Sequence, residues 1–334
     1  MCSLSINHAS VAELSIIHTY YRGISLIKVE GLRKQYGDIM AVDDVSFTAE
    51  PGAIFGLLGP NGAGKTTTIS CISGLLKPGA GRVSVLGHDV VTDGPASRAK
   101  LGVVPQELAL YEDLSARENL DYWGAAYGMG GAALKRRVGE VLEIVGLSDR
   151  AKEPVKKYSG GMKRRLNFAC GIVHEPQALL LDEPTVGVDP QSRVKLLDLV
   201  REQAQRGICV LYTTHYMEEA ESLCDQLAII DHGQIIAMGT LAELRAMLQE
   251  RDLLRLAGAF DPAAVPTALA PLADIELVQV DAESLTLATT QASQKLSRIF
   301  TVLSAVGADI RETVLSQPNL ESLFIKLTGR ELRE

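Results

Sequence analysis

Ile54-Phe55-Gly56-Leu57-Leu58-Gly59-Pro60-Asn61-Gly62-Ala63-Gly64-Lys65-Thr66-Thr67 is the stretch whose reading decides the fold. Its opening run, Ile54 to Leu58, carries no polar side chain. Such a run suits a strand buried on both faces of a parallel sheet, and glycines close it before a helical pattern opens at Lys65. Gly59 to Thr66 fits G-x-x-x-x-G-K-[ST] with the preceding strand and following helix that the pattern requires. Chance places this pattern in about one in a hundred chains of this length. The glycines let the backbone wrap a phosphate so that N–H groups and the helix N-terminus point at it. Lys65 supplies a point charge to the outer phosphates and Thr66 a hydroxyl for Mg²⁺. A glycine-rich turn before a helix would explain the glycines but not the lysine and the hydroxyl that follow them.

Working outward, Leu26 to Glu30 and Val45 to Ala49 read as strands, the second alternating Val45, Phe47 and Ala49 with Ser46 and Thr48. Ala178 to Leu181 and Cys209 to Thr213 repeat the buried-strand pattern. Between them, Gln191 to Gln205 reads as a helix with Val194, Leu197 and Val200 on one face, ended near Gly207. Strands alternating with helices indicate an α/β domain. From Glu107 to Glu175 helical periodicity takes over, with Leu134, Val138, Val141, Leu142 and Val145 as an apolar stripe closed by Gly146. The expected organisation is a tail of unknown order at 1–25, a nucleotide-binding domain at 26–245 with a helical subdomain at about 107–175, and an accessory domain at 246–334. In the last, strands at Leu253–Leu256, Ile275–Val280, Leu285–Thr289 and Ile310–Leu315 alternate with helices near Ala263, at Gln294–Val306 and at Leu320–Leu327. That order predicts a small ferredoxin-like α+β domain.

Composition bounds the partners. The chain has 334 residues, enough for one large domain and a smaller companion. Lys and Arg number 33 against 41 Asp and Glu, a net charge of −8, which argues against a surface that neutralises a nucleic-acid backbone. The longest stretch free of charge, Pro51 to Gly64, has 14 residues, short of the roughly 20 apolar residues of a membrane-spanning helix. No Lys or Arg precedes Glu13, so the basic front of a signal peptide is missing and a cytosolic chain is expected. Cys2, Cys71, Cys170, Cys209 and Cys224 show no Cys-x-x-Cys spacing, and the last four sit in apolar surroundings as buried thiols.

At the end of the second buried strand, Asp182 and Glu183 fall on the carboxyl edge of the sheet, where ligands bind in such folds. Asp182 is expected to hold Mg²⁺ through its water shell and Glu183 to polarise the water attacking the γ-phosphate. As an isolated acidic pair they read as solvated strand-end residues; Lys65 in the same chain reverses that. His215, after Thr213 and Thr214, lies on the same edge within reach of a γ-phosphate oxygen. His8, His18, His88, His174 and His232 read as surface histidines. Tyr158-Ser159-Gly160-Gly161-Met162, flanked by Lys156, Lys157, Lys163, Arg164 and Arg165, is a second anion site, with Ser159 also suited to cap the helix. One nucleotide needs one phosphate cradle, so the second is expected to serve the nucleotide of another copy.

These residues resemble the ATP-binding subunits of ABC transporters over about residues 27–242. Gly59–Thr67 matches the family's Walker A segment, Ser159-Gly160-Gly161-Met162 its signature loop, and Leu179 to Glu183 its Walker B strand with the catalytic glutamate. The interval of 22 residues from Gly160 to Asp182 is typical. The resemblance implies that Gly59, Asn61, Gly62, Ala63, Gly64, Lys65, Thr66 and Thr67 bind Mg-ATP. It further implies that Tyr36 is an aromatic platform for adenine, that Gln106 senses Mg²⁺ and the attacking water, and that Asp189 lies in the loop crossing to the partner. The implied fold is the P-loop nucleoside-triphosphatase core with an inserted helical subdomain. The usual signature is Leu-Ser-Gly-Gly-Gln, so Tyr158 and Met162 depart from it. The Tyr158–Met162 loop, the segment Pro318-Asn319-Leu320-Glu321-Ser322-Leu323-Phe324 and the appended C-terminal domain look like the daunorubicin-resistance branch, which exports drugs, antibiotics, polysaccharide or lipid through separate permease chains. Partners are then a second copy of the chain and an integral membrane permease, at the cytoplasmic face of the membrane. A soluble ATPase of this type acting on ribosomes or DNA would carry two cassettes or a long coiled-coil insert. A GTPase or small-molecule kinase would leave Ser159-Gly160-Gly161 unexplained, and no Asn-Lys-x-Asp motif occurs.

Overall fold

The computed structural model describes residues 26–247, 252–272, 274–316 and 319–328; the tail expected at 1–25 and Pro318 lie outside the described residues. In chain order come β1 (Ile27–Tyr36), β2 (Ile39–Ala49), β3 (Ile54–Leu58), α1 (Lys65–Ile72), β4 (Ala80–Val85), β5 (His88–Asp89), α2 (Gly94–Ala99) and β6 (Leu101–Val104). A strand-free stretch follows, with α3 (Ala116–Ala126), α4 (Gly131–Ile144), two 3-10 turns and α5 (Gly160–Ile172). Then come β7 (Ala178–Asp182), α6 (Pro190–Gln205), β8 (Cys209–Thr214), α7 (Met217–Leu223), β9 (Gln226–Asp231), β10 (Gln234–Gly239) and α8 (Leu241–Met247).

Six strands form a sheet in the order β10-β9-β3-β8-β7-β6, parallel except for the edge strand β10. Every residue of β3, β7 and β8 is buried, because apolar cores cover both faces. Leu179, Leu181, Val210 and Tyr212 pack with α3–α6, including Leu120, Val138, Leu142, Phe168 and Leu196. The alternate residues Ala178, Leu180, Cys209 and Leu211 face Phe47, Ile69, Ile72 and Val83. Each fully buried Leu or Val contributes about 1.5–3 kcal/mol of transfer free energy, so the unbroken apolar runs follow from two-sided burial. A second, antiparallel sheet runs β2-β1-β4-β5.

The stripe expected on α4 is buried throughout: Leu134, Val138, Val141, Leu142 and Val145 line the first core, and Gly146 follows with φ of 63°. Helix α3 opens with a capping box in which Ser115 and Glu118 each accept the other's backbone N–H. The face expected on α6 needs correction. Leu197 and Val200 are buried but Val194 is 58% exposed; the inward stripe is Leu196, Leu197, Leu199, Val200, Gln203 and Ala204, starting after the first turn.

Contacts divide the chain into two compact units that meet at Leu241 and Ala242. The second holds β11 (Asp252–Ala259), α9 (Val265–Leu269), β12 (Ile275–Val280), β13 (Ser284–Thr289), α10 (Ala292–Ala305), β14 (Asp309–Ser316) and α11 (Leu320–Thr328). Its strands form an antiparallel sheet ordered β12-β13-β11-β14. Leu254, Leu256, Leu285 and Leu287 pack against Val265, Leu269, Ile299 and Leu303. Asp252, itself buried, accepts a hydrogen bond from the Ala292 N–H at 2.7 Å and so satisfies the start of α10.

Candidate functional site

Parallel pairing sets the site, because it brings the carboxyl ends of four strands to one edge. Leu58 is level with Thr214, Asp182 with Thr213 and Leu181 with Val104. Residues just beyond those ends are therefore neighbours: Gly59 after β3, Gln106 after β6, Glu183 after β7 and His215 after β8. Gly59 N–H donates to the Thr214 carbonyl at 3.3 Å, which joins loop to sheet.

The loop encloses a cavity of about 220 Å³ lined by Ala41, Asn61, Gly62, Gly64, Lys65, Thr66, Thr67, Gln106 and Glu183. Gly64 has φ of 104°, and a Cβ there would collide with the Ala41 carbonyl oxygen. Gly62, with φ of 81°, has open space where a Cβ would project, so the backbone presents its amides without a side chain in the way. Lys65 starts α1 and is only 4% exposed. Its Nζ donates to the carbonyls of Gly59 at 2.7 Å and Pro60 at 3.0 Å and lies 2.9 Å from Glu183 Oε1. Ala63 is buried under the loop, and its carbonyl accepts from Gly233 N–H at 3.0 Å.

Glu183 is the centre of the polar groups. It is 4% exposed, and its Oε2 accepts from Gln106 Nε2 at 3.4 Å and from His215 Nδ1 at 3.1 Å. Its backbone φ is 44°, the left-handed region, which costs a non-glycine residue about 1–3 kcal/mol and persists only when neighbours over-determine it. They do: Glu183 N–H reaches both the Thr213 carbonyl at 3.2 Å and the Thr213 hydroxyl at 3.0 Å. The same hydroxyl donates to Asp182 Oδ1 at 2.6 Å. Thr213 thus orders both carboxylates. Its position at the end of a buried strand was visible in the sequence; its bonds were not.

The other anticipated residues lie apart from this cavity. Tyr36 ends β1 and is 45% exposed, with Lys34 Nζ 5.5 Å from its ring centroid. Ser159 caps α5, accepting from Met162 N–H at 3.3 Å, and Gly160 beside it has open space at its Cβ position. Gly161 differs, since a Cβ there would collide with the Ser192 hydroxyl. Asp189 caps α6, its Oδ1 accepting from Ser192 N–H at 2.9 Å, and these Ser192 hydrogen bonds hold its carboxyl below the ordinary range. Signature loop and Asp189 loop therefore abut within one chain. Tyr158 is buried; its hydroxyl donates to the Arg150 carbonyl at 2.6 Å, and burial raises its phenol above the usual range. Met162 packs against the same core. The two departures from the usual signature thus fall on packing positions.

Two residues acquire roles that sequence did not suggest. Arg164, one of the basic residues of α5, donates to the carbonyl of Gln106 and, at 2.9 Å, to that of Val186. Burial lowers its guanidinium below the ordinary range. It joins the segment after β6 to the segment after β7. His174, expected at the surface, is buried: its ring stacks on Tyr127 with centroids 3.5 Å apart, and Nε2 is 3.2 Å from the Leu101 carbonyl. Burial, with Lys100 and Arg137 nearby, lowers it to about 4. Its position between α5 and β7, where two layers meet, overrides its polarity. His88 and His232 are exposed as expected, while His8 and His18 lie outside the described residues. Cys71, Cys170 and Cys209 are buried and Cys224 is half-buried. Among the described residues no helix is long and apolar enough to cross a membrane.

A glycine loop on a buried lysine, at the carboxyl edge of a parallel sheet carrying an Asp-Glu pair, defines a P-loop nucleoside triphosphatase. A family model described as ABC transporter matches residues 42–186. The linearmycin resistance ATP-binding protein LnrL of Bacillus subtilis (strain 168) is 42% identical over 311 residues, covering 92% of this chain and 100% of its own. The daunorubicin resistance ATP-binding protein DrrA3 of Streptomyces coeruleorubidus is 40% identical, covering 92% of this chain and 97% of its own. A solved ATP-binding subunit of an ABC transporter superposes with TM-score 0.62 at 33% identity, over 67% of this chain and 94% of that one. The chain belongs to the ATP-binding subunits of ABC transporters, and it is an ATPase of that family.

Proposed function

We propose that this chain powers export of a drug-like or lipid-like molecule through a separate membrane permease, by binding and hydrolysing Mg-ATP between two copies of itself. The observation that carries the ATPase half is Glu183, buried and held by Lys65, Gln106 and His215 at one end of the loop cavity. The export half rests on relatives named for resistance to linearmycin and daunorubicin.

The residues present suit a nucleotide. Gly59 to Thr67 would cradle the phosphates, with amides at an open Gly62 and a buried ammonium at Lys65. Mg²⁺ commonly keeps several waters and takes few protein oxygens besides those of the phosphates; Thr66 and Gln106 would be its protein ligands, with Asp182 acting through the water shell. Bound, the ion would neutralise charge on the phosphates. Glu183 would orient and deprotonate the attacking water, and His215 would steady the γ-phosphate end of the cavity. Tyr36, 45% exposed at the end of β1, would stack on adenine. Ser159, Gly160 and Gly161 of the second copy would close over the phosphates, with its Asp189 loop alongside. The open space at Gly160 is consistent with that use.

The nucleotide-binding domain would span 26–245, with a helical subdomain at about 107–175, and the accessory domain 246–334. The order β12-β13-β11-β14 with helices after the first and third strands supports a ferredoxin-like accessory domain for dimer support or regulation. Gln106 and Glu107 to Asn119 would meet the permease at the cytoplasmic face of the membrane, a location that suits a chain attached peripherally.

A Glu183→Gln protein tests the central role. It should bind ATP, pair in size-exclusion chromatography when ATP is present, and hydrolyse ATP at least about 100-fold more slowly. Hydrolysis at the parent rate would remove Glu183 from the reaction.

A further inference from the structure

Beneath His215 lies a buried carboxylate for which the hydrolysis scheme has no role. Glu219, on α7, is 3% exposed. Its Oε2 accepts three hydroxyl hydrogen bonds: Tyr212 at 2.8 Å, Thr185 at 3.0 Å and Thr214 at 3.0 Å. Its Oε1 stands 3.4 Å from Arg193 Nε, an ionic contact rather than an aligned hydrogen bond. The Arg193 guanidinium in turn lies 4.6 Å from the centroid of the Tyr216 ring. Burial pushes the Tyr212 phenol well above its ordinary value, so that hydroxyl keeps its proton and remains a donor.

These partners flank the two residues at the centre of the site. Thr185 is two positions after Glu183. Thr214 and Tyr216 stand on either side of His215, and Thr214 Oγ1 also accepts the Tyr216 N–H at 2.9 Å. The backbone at 214–216 is therefore tied at both ends to one carboxylate, and the backbone after Glu183 is tied to the same atom. Arg193 belongs to α6, the helix that Asp189 caps. We propose that Glu219 is a positioning residue for ATP hydrolysis: it fixes the approach of His215 to Glu183 and links both to helix α6. This rests on the roles given to Glu183 and His215.

One carboxylate oxygen that accepts from three buried hydroxyls holds those three side chains in a single arrangement. Replacing Glu219 by Gln keeps the shape but removes the charge and leaves one acceptor oxygen, so the amide cannot serve Arg193 and the three hydroxyls together; with its oxygen turned to Arg193 it presents NH₂ to the hydroxyls, which lose their common acceptor. Thr185 and Thr214 then no longer share an anchor, and the 3.1 Å contact between His215 and Glu183 loosens. The phosphate loop makes none of these bonds, so nucleotide affinity should survive.

The test is a double-mutant cycle on the full chain with Glu219→Gln and His215→Ala, measuring kcat, KM and equilibrium ATP affinity for each protein. Glu219→Gln should lower kcat by about 100-fold, the scale of an angstrom-sized misplacement, with ATP affinity within about 3-fold of the parent. The double variant should be no slower than His215→Ala alone, because both changes remove one arrangement. Thr214→Val, which removes one donor and leaves the carboxylate, should lower kcat in the same direction by less; it and Tyr212→Phe carry the test if Glu219→Gln fails to bind ATP. Parent-like kcat in the Glu219 variant while His215→Ala is slow overturns the proposal and spares the role of His215. Multiplying losses in the double variant also overturn it, since Glu219 would then act independently. Parent-like turnover in His215→Ala overturns the role of His215, and the proposal with it.

Discussion

Replacing Glu183 by Gln should tighten nucleotide binding as well as stop hydrolysis, and the size of that gain follows from Lys65. The ammonium is buried to 4% exposure, and its only anionic contact among the described residues is Glu183 Oε1 at 2.9 Å; the other acceptors are the neutral carbonyls of Gly59 and Pro60. Removing one partner of a fully buried ion pair destabilises by about 3–5 kcal/mol. The cavity opens past Asn61 and Thr66, which are exposed, so water relieves part of this and about 1.4–3 kcal/mol remains. A phosphate restores the missing charge, so that free energy returns on binding. Dissociation constants for ATP and ADP should fall by about 10- to 100-fold. Isothermal titration calorimetry without Mg²⁺ measures binding with no turnover. In parallel the nucleotide-free variant should melt about 5 °C below the parent and recover with ADP. Unchanged affinity together with an unchanged melting point would show that Glu183 does not compensate Lys65, and the geometric argument would fail.

Other substitutions probe the supports of the site. Thr213→Val keeps the shape but strips the hydroxyl from Asp182 and the Glu183 N–H; we expect about 2–3 kcal/mol of lost stability in urea titrations and a higher Mg²⁺ concentration for half-maximal ATPase. Arg164→Lys cannot bridge the Gln106 and Val186 carbonyls, so kcat should fall about 10-fold while ATP affinity holds, as steady-state kinetics and calorimetry will report. Tyr158→Phe loses only the bond to the Arg150 carbonyl and should cost about 1 kcal/mol in thermal melts, with ATPase activity at the parent level. His174 sets an acid limb. Its folded value of about 4 lies below the ordinary value near 6.5, so the unfolded chain binds the proton first and stability falls as pH drops through that window. At pH 5 the loss is about 2 kcal/mol, and it should be missing from the pH dependence of a His174→Phe protein measured side by side.

The parts of the molecule legible in the sequence are those whose physics is local. The runs Ile54–Leu58, Ala178–Leu181 and Cys209–Thr213 announce burial because both faces of those strands meet apolar cores, and the glycines of the loop announce a backbone that side chains would obstruct. The α4 stripe was equally plain, since five residues at helical spacing face one core. Strand β4 carried no comparable signal, whereas Leu227 to Ile230 of β9 is a buried apolar run of the same kind. β4 starts Ala80-Gly81-Arg82, three exposed residues, and is held by pairing with β1, a partner about fifty positions earlier in the chain.

Residues with long-range duties were the hardest to read. Val194 fits the helical period of α6 yet points outward, because periodicity locates a stripe without saying at which turn the core begins. His174 reads as polar and exposed, but its ring is enclosed by Tyr127 and the Leu101 carbonyl from two other elements. Glu183 illustrates the limit best. Its place after an apolar strand marks it as a carboxylate at a ligand edge, whereas its φ of 44° has no signature in a residue type that rarely adopts it. The strain is sustained by Thr213, thirty positions away, which binds the backbone N–H of Glu183 and the side chain of Asp182 with one hydroxyl. Which carboxylates exist is thus written locally. Where they point depends on a threonine that only the parallel register of β7 with β8 brings alongside.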